Sequence, residues 1–205
     1  MRLLLAAAAG GAVLFGSIAA AEMRPLSGFD RVSASAGTQV EIAVGSGFSV
    51  DVRGANADRV VTRVAGGVLI IEPQRNWRWR GNTRPVVHVT MPDLRGLDAS
   101  SGARIAASGV QARQISLESS SGAHLNVAGT CAAFVADASS GAHLDASSLR
   151  CEAGAVEASS GARVRVHATG RLDIDASSGG NITAQGDANI GSVELSSGGT
   201  FRRAR

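Results

Sequence analysis

The sequence predicts an all-β protein: a parallel β-helix, or solenoid, of about six coils of about 19 residues, preceded by a β-rich layer that caps its first winding. Three observations predict it. The triplet Ser-Ser-Gly recurs six times, with its glycine at Gly102, Gly122, Gly141, Gly161, Gly179 and Gly198, at spacings of 20, 19, 20, 18 and 19 residues. Apolar residues keep fixed offsets from that glycine: Leu97, Leu117, Ala136, Val156, Ile174 and Val193 five before it, and Ile105, Leu125, Leu144, Val164, Ile182 and Phe201 three after it. Polar residues alternate with them, so both flanks have the period of two that marks a half-buried strand.

Residues 1–21 have the layout of a secretory signal peptide. Arg2 supplies a positive start, Leu3 to Ala20 is apolar or small, and Ala19-Ala20-Ala21 precedes Glu22, which places cleavage after Ala21. The alternative is an uncleaved anchor, since the run is long enough to reach across a bilayer. No cysteine near the cut suggests a lipid anchor, and no later segment suggests a stable membrane span. The mature chain is thus expected in the periplasm, outside the cell or at its surface. Cleavage leaves a formal net charge of +2, carried entirely by arginine, since lysine is absent. So small an excess gives no reason to expect nucleic acid as a partner.

Residues 22–95 read as the capping part of the same domain. Candidate strands are Gln39–Val44, Phe48–Arg53, Val60–Val64, Val68–Glu72 and Pro85–Met91, with short turns at Gly45-Ser46-Gly47 and Gly66-Gly67. Asn56 to Arg59 suits a single helical turn. Residues 96–201 are the repeats. Each unit reads as strand, Ser-Ser-Gly corner, strand, with a second break at Gly109, Gly129, Gly170 or Gly186. A unit of this length cannot bury its apolar edge alone, and stacking with its neighbours does so. Two alternatives fit less well. A Ser/Gly-rich linker would not keep apolar residues at fixed offsets, and a hexapeptide helix would need its signature every six residues. Residues 202–205 form a short basic tail, whose charge discourages end-to-end pairing.

The chain resembles the auto-transporter adhesin head domain family, also called the GIN domain, a bacterial exported domain without an assigned function. The resemblance rests on Gly28-Phe29-Asp30-Arg31-Val32, on Val40-Glu41-Ile42 followed by Val50-Asp51-Val52, on Gly67-Val68-Leu69-Ile70-Ile71, and on Val87 to Leu94 leading into the Ser-Ser-Gly repeats. It implies a right-handed β-helix outside the cytoplasm and no catalytic residues. The chain has no room for an outer-membrane barrel, so the auto-transporter half of the label does not carry over.

Several constellations are candidates for chemistry. Asp98, Glu118, Asp137, Glu157, Asp175 and Glu194 sit four residues before their corner glycines and are expected to stack as a carboxylate row on the outer face. Like charges at one strand spacing repel. The offset is a parallel row of Arg104, His124, His143 and Arg163 across the corner, the hydroxyl of the corner serine two residues after each acid, or bound Ca²⁺, which favours such oxygens. His124 and His143 lie one coil apart, where a transition-metal pair competes with a plain ladder of polar side chains. Cys131 and Cys151 are one repeat apart and suit a coil-to-coil disulfide. Trp77, Arg78, Trp79 and Arg80 suit a recognition patch for lipid headgroups, sugars or a protein, or a lid over the end of the stack.

No phosphate loop, nucleophile elbow or zinc-protease motif occurs. The expectation is therefore a non-catalytic envelope or surface module, without a cofactor, whose partner is a protein or glycan. The alternatives are a polysaccharide-acting β-helix enzyme, as paired carboxylates would allow, and a scaffold that assembles by stacking its ends.

Overall fold

A computed structural model describes residues 22–80 and 84–204. The signal-peptide segment and the cleavage site after Ala21 lie outside the described residues. The strands, in chain order, are β1 (Glu22–Arg24), β2 (Arg31–Ala34), β3 (Gln39–Val44), β4 (Ser49–Arg53), β5 (Val60–Ala65), β6 (Val68–Pro73), β7 (Val86–Met91) and β8 (Gly96–Ala99). They continue as β9 (Arg104–Ser119), β10 (His124–Ala138), β11 (His143–Ala158), β12 (Arg163–Ala168), β13 (Arg171–Ala176), β14 (Asn181–Gln185), β15 (Asn189–Leu195) and β16 (Thr200–Arg203). One 3-10 turn, Ala57–Arg59, is the sole helical element among the described residues.

From β8 to β14 every strand pairs in parallel with its equivalent one repeat later, which makes a β-solenoid. The continuous stack counts about five turns rather than six, because six corners enclose five complete windings. The fixed apolar offsets become two lines of core side chains. Leu97, Leu117, Ala136, Val156 and Ile174 form one, and Ile105, Leu125, Leu144, Val164 and Ile182 the other, all buried. Small residues fill the inward positions beside them, including Ala99, Ser119, Ala138, Ala158 and Ala176.

The corner geometry is more demanding than the glycine alone suggests. The serine before each corner glycine also has positive φ, at 46–51° in all six copies. The residue after the glycine donates back to the first serine, as Ala103 N–H does to Ser100 O at 3.0 Å. Two left-handed central residues and that closing bond are the signature of a type I′ turn. Corners are also joined to one another. The amide of Gly102 donates to Ser121 O, Gly122 to Ser140 O, Gly141 to Ser160 O, Gly161 to Ser178 O and Gly179 to Ser197 O, at 3.0–3.1 Å.

Two of the expected second breaks take a different form. Gly109 and Gly129 lie inside β9 and β10, where the strand bends without ending. Gly129 coincides with a shift of register between β9 and β10, a bulge that keeps the ladder on both sides. Its φ is 144°, and a Cβ there would fall 2.2 Å from Val110 O, so only glycine fits.

The N-terminal strands belong to the same hydrogen-bonded sheet. β2 and β3 stack in parallel on β8 and β9, and β6 and β7 stack in parallel on β2 and β3. The end is then closed by antiparallel strands: β5 on β6, and β4 on β7 with β1 beyond. The other end is open at β15 and β16, where Val193 and Leu195 are 44% and 50% exposed. There Arg203 takes the place of the inward column Ala107, Val127, Ala146, Val166 and Ala184, and donates to Ala188 O at 2.7 Å. A charged residue at an inward position discourages further strand addition.

Candidate binding faces

On the strands before the corners, Asp98, Glu118, Asp137, Glu157, Asp175 and Glu194 stand opposite one another in successive windings, and Ser33 precedes Asp98 in the same column. Among the described residues none of these six carboxylates takes part in an ion pair; the paired acids are Glu22, Asp30, Glu41, Asp51, Asp58, Glu72, Asp145 and Asp173. The basic row across the corner therefore does not neutralise the acidic row, because the two columns line different grooves. Relief comes from hydroxyls at the first two levels. Ser33 Oγ donates to Asp98 at 2.9 Å, and Ser116 Oγ to Glu118 at 3.4 Å. These serines belong to the strands, not to the corners. No group of three or more His, Cys, Asp or Glu side chains among the described residues is arranged to hold a metal ion.

On the strands after the corners, Arg104, His124, His143 and Arg163 form the second column, one per winding. The His124 and His143 rings meet edge to face with centroids 4.9 Å apart, and Arg163 Nη1 lies 3.2 Å from His143 Nε2. Desolvation, then the charge of His143, then that of Arg104 hold the His124 imidazole below its ordinary pKa. This column runs along a groove of about 630 Å³ that spans several windings. The groove also holds Glu41 and Asp145, and each already has a basic partner. Glu41 lies 3.2 Å from His88 Nδ1, and Asp145 lies 3.5 Å from Arg165 and accepts from Ser147.

The Trp-Arg segment sits where a corner would be. β6 and β7 are stacked on β2 and β3, and residues 74–85 join them in place of a four-residue turn. The turn below, Ser35-Ala36-Gly37, is a seventh corner that the triplet search misses. Ala36 and Gly37 have φ of 52° and 75°, matching Ser101 and Gly102, and Thr38 N–H closes onto Ser35 O at 3.2 Å. Alanine replaces the second serine there, but Val32 five before Gly37 and Val40 three after it would have revealed the unit. Trp79 Nε1 donates to Ala36 O at 3.0 Å, and Arg84 to Gly37 O at 3.0 Å. Trp77 meets Trp79 at 6.3 Å, and the Arg59 guanidinium lies 4.8 Å over its ring. Both indoles are half-buried, whereas Arg78 and Arg80 are exposed.

Cys131 and Cys151 form a disulfide with a Cα separation of 4.5 Å. They face each other in the β10–β11 ladder although they are 20 residues apart and His124 and His143 are 19 apart, because a bulge between Asn126 and Ala128 absorbs the extra residue. The bond joins adjacent windings at a level where both partners are buried. No helix among the described residues is long and apolar enough to cross a membrane.

A family model described as "Putative auto-transporter adhesin, head GIN domain" matches residues 28–188. Three solved structures share the fold. A putative adhesin of Bacteroides fragilis aligns with a TM-score of 0.73 at 12% identity, covering 92% of this chain and 98% of its own. A putative adhesin of Parabacteroides distasonis gives 0.59 at 12% identity, covering 90% and 96%. A putative lipid binding protein of the same species gives 0.58 at 16% identity, covering 92% and 98%. At such identities the likeness concerns the fold alone. No curated protein matches the chain.

Proposed function

We infer that this chain, which belongs to the auto-transporter adhesin head (GIN) domain family, serves as an exported, non-catalytic binding module of the cell envelope or surface. The observation that carries the reading is a pair of columns, one acidic and one basic, each in register over four or more windings and neither contributing a side chain to an ion pair among the described residues. An active site needs a unique group held against a unique partner. A repeated column instead presents one chemistry at each winding, which suits a ligand that is itself extended. The leader-like residues 1–21 support export, and the disulfide suits an oxidising compartment.

The test is retention of envelope material on residues 22–205 coupled to beads, with variants that neutralise both columns as control. Circular dichroism establishes that the variants stay folded. Saturable, salt-sensitive retention that the variants lose supports the reading. Retention that ignores the columns, or release of shortened polysaccharide during incubation, contradicts it.

A further inference from the structure

We propose that the groove along Arg104, His124, His143 and Arg163 binds a linear polyuronate, a polysaccharide that carries one carboxylate on each sugar. The proposal rests on the binding-module reading and names the ligand class for one of its two faces.

The first argument is unspent charge. Arg104 and Arg163 have no carboxylate partner among the described residues, and His143 contacts Arg163 instead of an acid. The two acids in the groove, Glu41 and Asp145, are occupied by His88 and Arg165. Burial first, and then the charges of His143 and Arg104, disfavour the protonated form of His124, so the line carries a like-charge repulsion along its length. An anion laid along the line relieves it at every winding.

The second argument is shape. Strands in adjacent windings are about 4.8 Å apart, so the column offers one basic side chain per step over roughly 14 Å, with a fixed positive charge at its Arg104 and Arg163 ends. A sugar ring advances a glycan chain by a comparable distance. A thin polymer lying parallel to the solenoid axis therefore meets one basic side chain per residue. Ala106 and Asn126, in the neighbouring column, keep that side of the groove low beside Arg104 and His124. The arginine forks suit carboxylate geometry.

The third argument decides between partners. The acidic column of a second copy has the same pitch and the opposite sign. Exposed ion pairs between two folded surfaces contribute little each, however, and a few of them do not offset the loss of freedom of two rigid bodies. A densely charged polymer releases its condensed counterions on binding, as nucleic acids do, and so gains what a folded surface lacks.

The experiment measures binding of residues 22–205 to polygalacturonate, with neutral dextran and inorganic polyphosphate as comparison polymers. Variants are Arg104→Gln with Arg163→Gln, and, on the other face, Asp137→Asn with Glu157→Gln. The expected result is binding to polygalacturonate that weakens at least about tenfold between about 50 and about 200 mM salt. The arginine variant loses at least about tenfold in affinity, and the carboxylate variant does not. Unchanged melting curves show that the arginine variant is folded. Equal binding of neutral dextran, preference for polyphosphate, unaltered binding by the arginine variant, or self-association in place of polymer binding would each overturn the proposal. If envelope material is retained but its loss follows the acidic face alone, the binding-module reading stands and this inference falls.

Discussion

The Trp79 indole Nε1 donates to the Ala36 carbonyl at 3.0 Å, at the corner of the first parallel winding. In the windings from Ser121 to Ser197 the equivalent carbonyl receives the corner glycine amide of the winding before it. Ala36 has no such winding before it, since residues 74–85 replace the turn there. Trp79 thus supplies the missing donor and covers Gly37 as well, its ring edge lying 3.3 Å from where a Gly37 Cβ would stand. The end of a solenoid exposes unpaired backbone groups, and here a side chain satisfies one of them.

Replacing Trp79 therefore loosens the N-terminal end of the stack. Trp79→Phe keeps much of the packing and removes the hydrogen bond, for an expected loss of about 1 kcal/mol, and Trp79→Ala loses about 2–3 kcal/mol. Guanidinium unfolding reads the loss, and hydrogen exchange places it in residues 31–44. Equal stability of all three proteins would mean that the indole is an appendage rather than a cap.

The disulfide links windings that already face each other, so its removal mainly frees the unfolded chain. Cys131→Ser with Cys151→Ser, or reduction, is expected to lower stability by about 3 kcal/mol for a loop of this length. The β-sheet circular dichroism spectrum of the variant should be unchanged below its transition. A change smaller than about 1 kcal/mol would show that the unfolded chain gains little freedom when the bond is cut.

Serine at positive φ is a standing strain at each corner. Ser140, with φ of 51°, tests it. Ser140→Val is expected to destabilise by about 1–3 kcal/mol, because a β-branched residue resists the left-handed region, while Ser140→Gly stays within about 1 kcal/mol of the parent. Unfolding midpoints check both. A Val variant as stable as the parent would mean that the corner relaxes to another turn.

His124 confers sensitivity to acid. Its imidazole is held below its ordinary value near 6.5 by desolvation first, then by His143 of the next winding and Arg104 of the previous one. A base whose folded pKa is lowered takes up its proton more readily when unfolded. Stability is therefore intact above the unfolded value and falls as pH drops through it toward the folded value. His124→Gln should melt with the parent near pH 8 and lose less Tm than the parent near pH 5. Identical pH profiles would contradict this.

Much of the solenoid was legible in the sequence because a repeat converts chemistry into geometry. Once six glycines fix a period, every column follows, including the facing cysteines and the acidic row. The strand limits of the N-terminal layer were also readable, with Gln39–Val44 as expected and Val60–Ala65 longer by one residue. The first corner was not, because Ala36 breaks the triplet while keeping its backbone conformation. The left-handed serine is hidden for the opposite reason: the glycine beside it accounts for a turn without help. Which of the offsets serves the acidic row was not legible either. Sequence offsets place acid and base six residues apart around the corner, but the turn directs them onto separate faces, so that proximity along the chain does not become an ion pair.

Pairs of nitroxide labels along the acidic column test most directly whether positions one repeat apart form a straight line. Labels at Asp98 and Asp137 are two windings apart, and labels at Asp98 and Glu194 five. Dipolar spectroscopy should give narrow distributions centred near 10 Å and 24 Å of axial separation, scaling with the number of windings. A broad distribution, or two distances that do not scale, would contradict the column and with it the binding faces built on it.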